Sequence, residues 1–241
     1  MTLQRTVQVT GLTLFLLLLA SAAFRFVGWL PHDLFLRLDP AAALLTGLTA
    51  KIWLGGFFAA LTVLAATLVL GRFFCGYLCP LGTTIDGVDA CIHKPGDRPT
   101  AVTLKWRRYK YGLLVFSTVA ALTGLSLAFL LAPLPLVTRF YALIMLPLLQ
   151  QMADLLLRLA TPVADQFNLP GLLYLQLPLP RFDLQWLTLI LMLLILVGGR
   201  WLPRFWCRCL CPAGALMALC AWRPVFRRRV TNDCIDCGLC T

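Results

Sequence analysis

An eleven-residue stretch that occurs twice constrains this chain more than any other feature. The first copy is Arg72-Phe73-Phe74-Cys75-Gly76-Tyr77-Leu78-Cys79-Pro80-Leu81-Gly82, and the second is Arg204-Phe205-Trp206-Cys207-Arg208-Cys209-Leu210-Cys211-Pro212-Ala213-Gly214. Seven of the eleven positions are identical at an offset of 132 residues, and both copies carry C-x3-C-P directly after a long apolar segment. Self-similarity of this kind fixes architecture before local propensity does. It predicts two halves, each delivering a pair of thiols to the same face.

Composition says what the apolar segments cross. Sixty per cent of the 241 residues are hydrophobic and 13% are charged, too apolar for a soluble domain. Four segments, near residues 9–30, 52–71, 111–132 and 184–202, have about the 20 residues a membrane span requires. Ala20-Ser21-Ala22 has the look of a signal cleavage site, but the apolar run continues to Leu30, so the first segment reads as a span. Residues 31–51 read as a loop. Residues 139–160 carry Gln150, Gln151, Asp154 and Arg158 on one helical face and are interrupted by Pro147. They read as an amphipathic helix in the interface, polar side to water. The expected fold is therefore all-α. A transmembrane domain over residues 1–230 holds four transmembrane helices in two parallel-oriented repeats, about 9–91 and 111–220.

The net charge of +11 sits beside these spans, which favours a topological reading over nucleic-acid binding. Arg72–Lys110 carries seven Lys/Arg, Arg200–Arg229 seven more and the N-terminus one, against six on the other side. Cytoplasmic loops are enriched in Lys and Arg. Both termini and all ten cysteines are thus expected on the cytoplasmic side of the inner membrane, with Arg227-Arg228-Arg229 against anionic lipid.

Sulfurs four residues apart share a helical face, Pro80 and Pro212 end regular helix, and Gly82 and Gly214 permit tight backbone. A cytoplasmic setting disfavours stable disulfides, leaving metal thiolates: zinc or an iron–sulfur cluster. The tail Cys234-Ile235-Asp236-Cys237-Gly238-Leu239-Cys240 separates them. Its C-x2-C-x2-C spacing opens the bacterial ferredoxin run for a [4Fe–4S] cluster. The x3-C-P that completes such a run does not follow before Thr241. Residues 231–241 are therefore expected to be the truncated start of a ferredoxin-type domain, supplying three of four ligands. The cofactor-binding and metal-ligating candidates are Cys75, Cys79, Cys207, Cys211, Cys234, Cys237 and Cys240; no catalytic residue is assigned. Cys75, Cys79, Cys207 and Cys211 are expected to converge on one redox or metal site. Cys91 and Cys220 follow their motifs at unequal distances, and Cys209 stands where the first copy has Tyr77, so all three rank below the motif pairs. His32 and His93 lie outside the spans, which argues against a b-type haem. His32 with Asp33 is weighed as a quinone contact against the plainer reading of a solvated loop pair.

These residues resemble the polytopic iron–sulfur membrane proteins of the NapH/NosR type and are similar to the CcoG group of oxidase-assembly proteins. The shared pattern is Gly71 to Gly82, its second copy, and the ferredoxin run after the last span. The resemblance covers nearly the whole chain, most firmly residues 52–91 and 184–240. It implies electron transfer at the cytoplasmic membrane, linking the quinol pool or a cytoplasmic donor to a partner reductase. The chain would be an electron-transfer subunit of a quinol dehydrogenase-like oxidoreductase system. Its expected partners are membrane lipid and other electron-transfer proteins. The alternative reading is an assembly or metal-handling factor for a respiratory oxidase.

Overall fold

The computed structural model describes residues 2–23, 33–51, 57–92, 106–166, 185–201, 204–221 and 225–226. Cys234, Cys237, Cys240, His32, His93 and Arg227–Arg229 lie outside them. All regular structure among the described residues is helical. The chain divides into two compact units, residues 1–137 with 194–241, and residues 138–193.

The first unit contains both copies of the motif. Helix α1 (Thr2–Ala23) starts well before residue 9, because Thr2 to Gln8 contains no residue that breaks a helix. Residues 33–51 are helical, not a loop: α2 (Leu34–Arg37) is followed by α3 (Pro40–Ala50). The Asp39-Pro40 pair explains the start of α3. The Asp39 side chain accepts hydrogen bonds from Ala41 N and Ala42 N, at 3.0 and 3.3 Å, and Pro40 occupies the first helical position, where a missing N–H costs nothing. Helix α4 (Phe57–Leu70) leads into the first motif, and α5 (Pro80–Ile92) leaves it.

The same order then recurs. Helix α6 (Tyr109–Leu122) ends at a turn in which Gly124 has φ 94°. The apolar segment 111–132 is therefore not one helix: glycine takes the left-handed conformation there and redirects the chain. A short helix α7 (Ala128–Leu131) precedes α8 (Pro133–Phe140), which again opens on proline. Helix α10 (Gln185–Trp201) leads into the second motif, and α11 (Pro212–Cys220) leaves it.

Packing repeats too. Helix α1 lies against the first motif and α5; α6 lies against the second motif and α11. Helix α3 is central, touching α4, α6, α7 and α11, with Leu45 packed against Ala121 and Ala128. Outward faces are apolar: Leu14 and Leu17 on α1, Phe58, Leu61 and Leu68 on α4, and Val115, Phe116, Val119 and Leu122 on α6 are all exposed.

In the second unit, the helical run begun at Pro133 continues through a π-helical segment (Tyr141–Met145) into α9 (Leu146–Gln166). The helix expected near residues 139–160 is present within this longer run. Leu148, Leu149, Met152, Leu155 and Leu156 are exposed; Gln151 is exposed with them, whereas Gln150 and Asp154 are half-buried. Gln4–Ala22 and Pro133–Leu156 are long and apolar enough to cross a membrane; Pro40–Ala50, Phe57–Leu70, Tyr109–Leu122 and Gln185–Gly199 are shorter apolar helices.

Candidate metal centre

The two motifs fold alike. Each forms one π-helical turn, Phe74–Leu78 and Trp206–Leu210, closed by Cys79 N donating to Phe74 O at 2.9 Å and Cys211 N donating to Trp206 O at 2.8 Å. Proline after the second cysteine disfavours helical backbone at that cysteine. Cys79 (φ −69°, ψ 116°) and Cys211 (φ −67°, ψ 117°) are accordingly extended. The expectation of two sulfurs on one helical face is corrected here: the first cysteine sits in the π turn, and the second has left it to cap the next helix.

That capping is direct at Cys211, whose Sγ accepts from Gly214 N at 3.4 Å; at Cys79 the backbone amides of Gly82 and Leu81 favour the charged form of the thiol. A sulfur at a helix N-terminus faces the positive end of the helix dipole, which favours thiolate character. The motif glycine has a definite cause. A Cβ at Gly82 would stand 2.9 Å from Cys75 O, and one at Gly214 would stand 2.9 Å from Cys207 O. The carbonyl of the first cysteine thus folds back onto the helix started by the second.

The four motif thiols lie within electrostatic reach of one another across the two copies. Cys79 and Cys211 are buried, Cys75 and Cys207 half-buried, and no described cysteine is disulfide-bonded. Burial pushes Cys75, Cys79 and Cys207 up from 9.0 to about 12. Neighbouring thiols add to it: Cys79 on Cys75, Cys207 on Cys79, and Cys75 on Cys207. Burial, then Cys207 and Cys75, raises Cys211 well above its ordinary value. Each copy therefore feels the other. Without a cofactor these groups are neutral thiols, and any metal or cluster must displace their protons. Met217 of α11, fully buried, lies with its Sδ 3.5 Å from Cys75 Sγ, so a helix of the second copy reaches a thiol of the first.

Charged side chains surround this group. Arg72 and Arg204 both pull Cys75 down, against the dominant effect of burial. Arg204 grips Asp86 of α5 through Nε at 2.6 Å and through Nη2. Gln8 of α1 donates to Asp86 Oδ2 at 2.8 Å and to Gly76 O at 2.9 Å. On another side stands Asp39, fully buried, whose Oδ2 accepts from Leu134 N at 3.2 Å while Oδ1 caps α3. One carboxylate thus serves the N-termini of α3 and α8. Its charge is felt at Cys75, Cys79 and Cys211. Sequence reasoning missed Asp39, Asp86, Arg204, Gln8 and Met217. The Asp-Pro capping signal could have found Asp39; nothing local marks the others. Cys209 is buried, Cys220 half-buried and Cys91 exposed.

The donor chemistry suits a soft-metal cofactor: four thiols, two from each copy, with amides aimed at the second sulfur of each pair. Among the described residues, no three His, Cys, Asp or Glu side chains are gathered as a group that could hold a single metal ion. A tetrahedral ion with bonds of about 2.3 Å needs thiolates in near contact. An iron–sulfur cluster places its own inorganic core between its ligands, so wider spacing suits it.

Comparison with known proteins points the same way. Residues 52–95 and 184–232 match the family described as "4Fe-4S binding domain". The two segments contain both C-x3-C-P motifs and stop short of Cys234. Over 221 residues, the chain is 27% identical to YccM of Escherichia coli strain K12, a protein whose name assigns it provisionally to electron transport; the alignment covers 88% of this chain and 52% of that protein. It is 25% identical over 178 residues to the uncharacterized protein MJ0750 of Methanocaldococcus jannaschii, covering 74% of this chain and 60% of that one. The chain spans about half the length of the curated relatives it matches. No solved structure matches it significantly. Together, the domain match and the electron-transport relative support iron–sulfur electron transfer.

Proposed function

We propose that this chain is a membrane electron-transfer protein in which Cys75, Cys79, Cys207 and Cys211 hold one [4Fe–4S] cluster between two parallel repeats. The observation that carries this reading is that both thiol pairs lie in the two segments that match a 4Fe-4S binding domain, with Met217 of the second copy seated against Cys75 of the first. When bound, the cluster supplies one-electron chemistry. The chain's part is to supply four thiolates, to bury them from water, and to surround them with helix N-termini and arginines that offset negative charge.

Membrane insertion rests on the outward apolar stripes. Phe58 at 74% exposure, Leu17 at 68% and Trp186 at 72% would be costly in water and are natural against lipid. Meeting of the two thiol pairs requires an even number of complete crossings between the copies. The bond from Leu134 N to the fully buried Asp39 starts α8 in the protein interior, so the run from Pro133 is read as starting within the membrane rather than at its surface. On this reading the chain has four spans, with α2–α3 and α7–α8 as matching re-entrant segments and the cysteine side cytoplasmic. Cys234, Cys237 and Cys240 would give three ligands to a second, ferredoxin-type cluster. Electrons would pass between the quinol pool or a cytoplasmic donor and a partner reductase, in the manner of NapH/NosR-type proteins.

The test uses the full chain with Cys234, Cys237 and Cys240 changed to serine, so that any remaining iron belongs to the motif site. Iron and acid-labile sulfide should persist there. They should fall to the same low level in Cys79→Ser, Cys211→Ser and the double variant, because members of one unit do not add. Half-loss in each single variant with summed loss in the double would show two separate sites.

A further inference from the structure

The two thiol pairs come from segments more than 100 residues apart, and something must hold their spacing. One chain of contacts does so. Gly76 O, in the turn between Cys75 and Cys79, accepts from Gln8 Nε2; the same nitrogen donates to Asp86 Oδ2; both Asp86 oxygens accept from Arg204. Arg204 lies three residues before Cys207 and is held in a left-handed conformation, φ 55°. A non-glycine residue adopts that backbone at a cost of about 1–2 kcal/mol, which a bidentate, half-buried guanidinium–carboxylate fork can offset.

The brace is one-sided. By the 132-residue offset, Arg204 corresponds to Arg72, but Asp86 corresponds to Ala218, so α11 has no carboxylate to grip Arg72 in return. The cation of the pair is carried three residues before Cys207, and the carboxylate is carried on α5.

Resting on the shared-cluster reading above, we propose that Arg204, oriented by Asp86 and Gln8, is the positioning residue of the motif centre. It fixes the second thiol pair against the first and supplies positive field that makes the centre easier to reduce. Reduction adds one negative charge beside a cation already in place. Arg204 touches no reacting atom; it acts through the loop that carries Cys207.

The experiment takes the tail-serine parent and compares Arg204→Lys, Arg204→Gln, Asp86→Asn and the exchanged pair Asp86→Arg with Arg204→Asp. Iron content, the midpoint potential from dithionite titration and the electron paramagnetic resonance line shape of the reduced centre are measured in each. Arg204→Gln should lower the potential and alter the line shape. Arg204→Lys, which keeps charge but loses the fork, should alter the line shape with a smaller fall in potential. The exchanged pair should recover iron content, because the fork is rebuilt, yet show the lowest potential, because the residue three before Cys207 is then a carboxylate. A retained centre with unchanged potential and line shape in Arg204→Gln overturns the proposal while leaving the cluster reading intact. So does an exchanged pair matching the parent potential. Loss of iron from Arg204→Gln alone is read against the exchanged pair: recovery there supports positioning, and no recovery refutes it. A parent without iron refutes the shared-cluster reading and this proposal together.

Discussion

The two copies of the motif share a backbone and differ in what surrounds it. Cys79 and Cys211 agree within a few degrees in φ and ψ, and Gly82 and Gly214 face the same 2.9 Å approach. Around that frame, Phe74 becomes Trp206, Ile85 becomes Met217, Asp86 becomes Ala218, and Gly71 with φ 71° becomes a left-handed Arg204 one residue later. The frame that presents the sulfurs is set by steric constraints, which two diverged sequences satisfy in one way. The side chains that charge and brace the frame carry no such constraint, and there the halves part. The result is a symmetric set of donors in an asymmetric field.

The largest expected effect lies where one half lends a group to the other. Asp39 caps α3 and also accepts from Leu134 N of α8, because the residue before Pro133 is Ala132 and offers no acceptor. Asp39→Ala leaves three buried amides without an acceptor and should cost about 3 kcal/mol or more, read as unfolding in detergent. Its pH dependence follows from burial, which raises the carboxyl from 3.8 to about 6 against the opposing pull of the three amides. A raised folded value means that the folded state holds the proton more tightly. Its stabilising contribution is complete below pH 4 and is lost as pH rises through 6. The parent should therefore lose on the order of 2–3 kcal/mol relative to Asp39→Asn between pH 4 and 7. A constant difference across that window would show that Asp39 does not titrate there.

Much of this was legible in sequence, and the misses are instructive. The doubled C-x3-C-P-x-G announced two equivalent thiol pairs, and the helical class followed from the apolar segments. The four-residue spacing suggested a shared helical face, but the proline after Cys79 and Cys211 already forbade it, since that contact acts on the preceding residue. Residues 31–51 read as a loop, with His32, Asp33, Arg37 and Asp39 among them. Asp39-Pro40 before an Ala/Leu run was a helix start, and only packing against α4, α6 and α11 shows where that helix goes. Gly124 ended the third apolar segment early for a backbone reason that hydropathy does not register. Asp86 and Arg204 stand 118 residues apart, and no local pattern joins them.

A middling effect tests whether the frame is as symmetric as it looks. Alanine at Gly82 or Gly214 would set its Cβ 2.9 Å from a backbone carbonyl, and backbone yields less readily than a flexible side chain. Each substitution should destabilise by about 1–3 kcal/mol and loosen the centre, seen as iron loss in the tail-serine parent. Near-equal losses would support one frame used twice. A much larger loss at Gly82 would mean that the Gln8–Asp86 brace beside the first copy leaves less room for relaxation.

The smallest effect concerns the left-handed residue that introduces each motif. Gly71 has φ 71° and its N–H donates to Thr67 O at 2.9 Å, so it ends α4 where a side chain would clash. Gly71→Ala should cost about 1 kcal/mol. The second copy reaches the same bend with Arg204 at φ 55°, and two opposed terms act there. Glycine would relieve the left-handed cost but gives the unfolded chain more freedom and abolishes the fork with Asp86. A double-mutant cycle separates them. With Asp86 intact, Arg204→Gly should be destabilising, because the half-buried carboxylate loses its partner. In an Asp86→Ala background that loss has already been incurred, and the same change should become neutral or stabilising by about 0.5 kcal/mol. Equal effects in the two backgrounds would mean that the ion pair does not hold Arg204 in its conformation and that the bend is set by packing alone, as it is at Gly71.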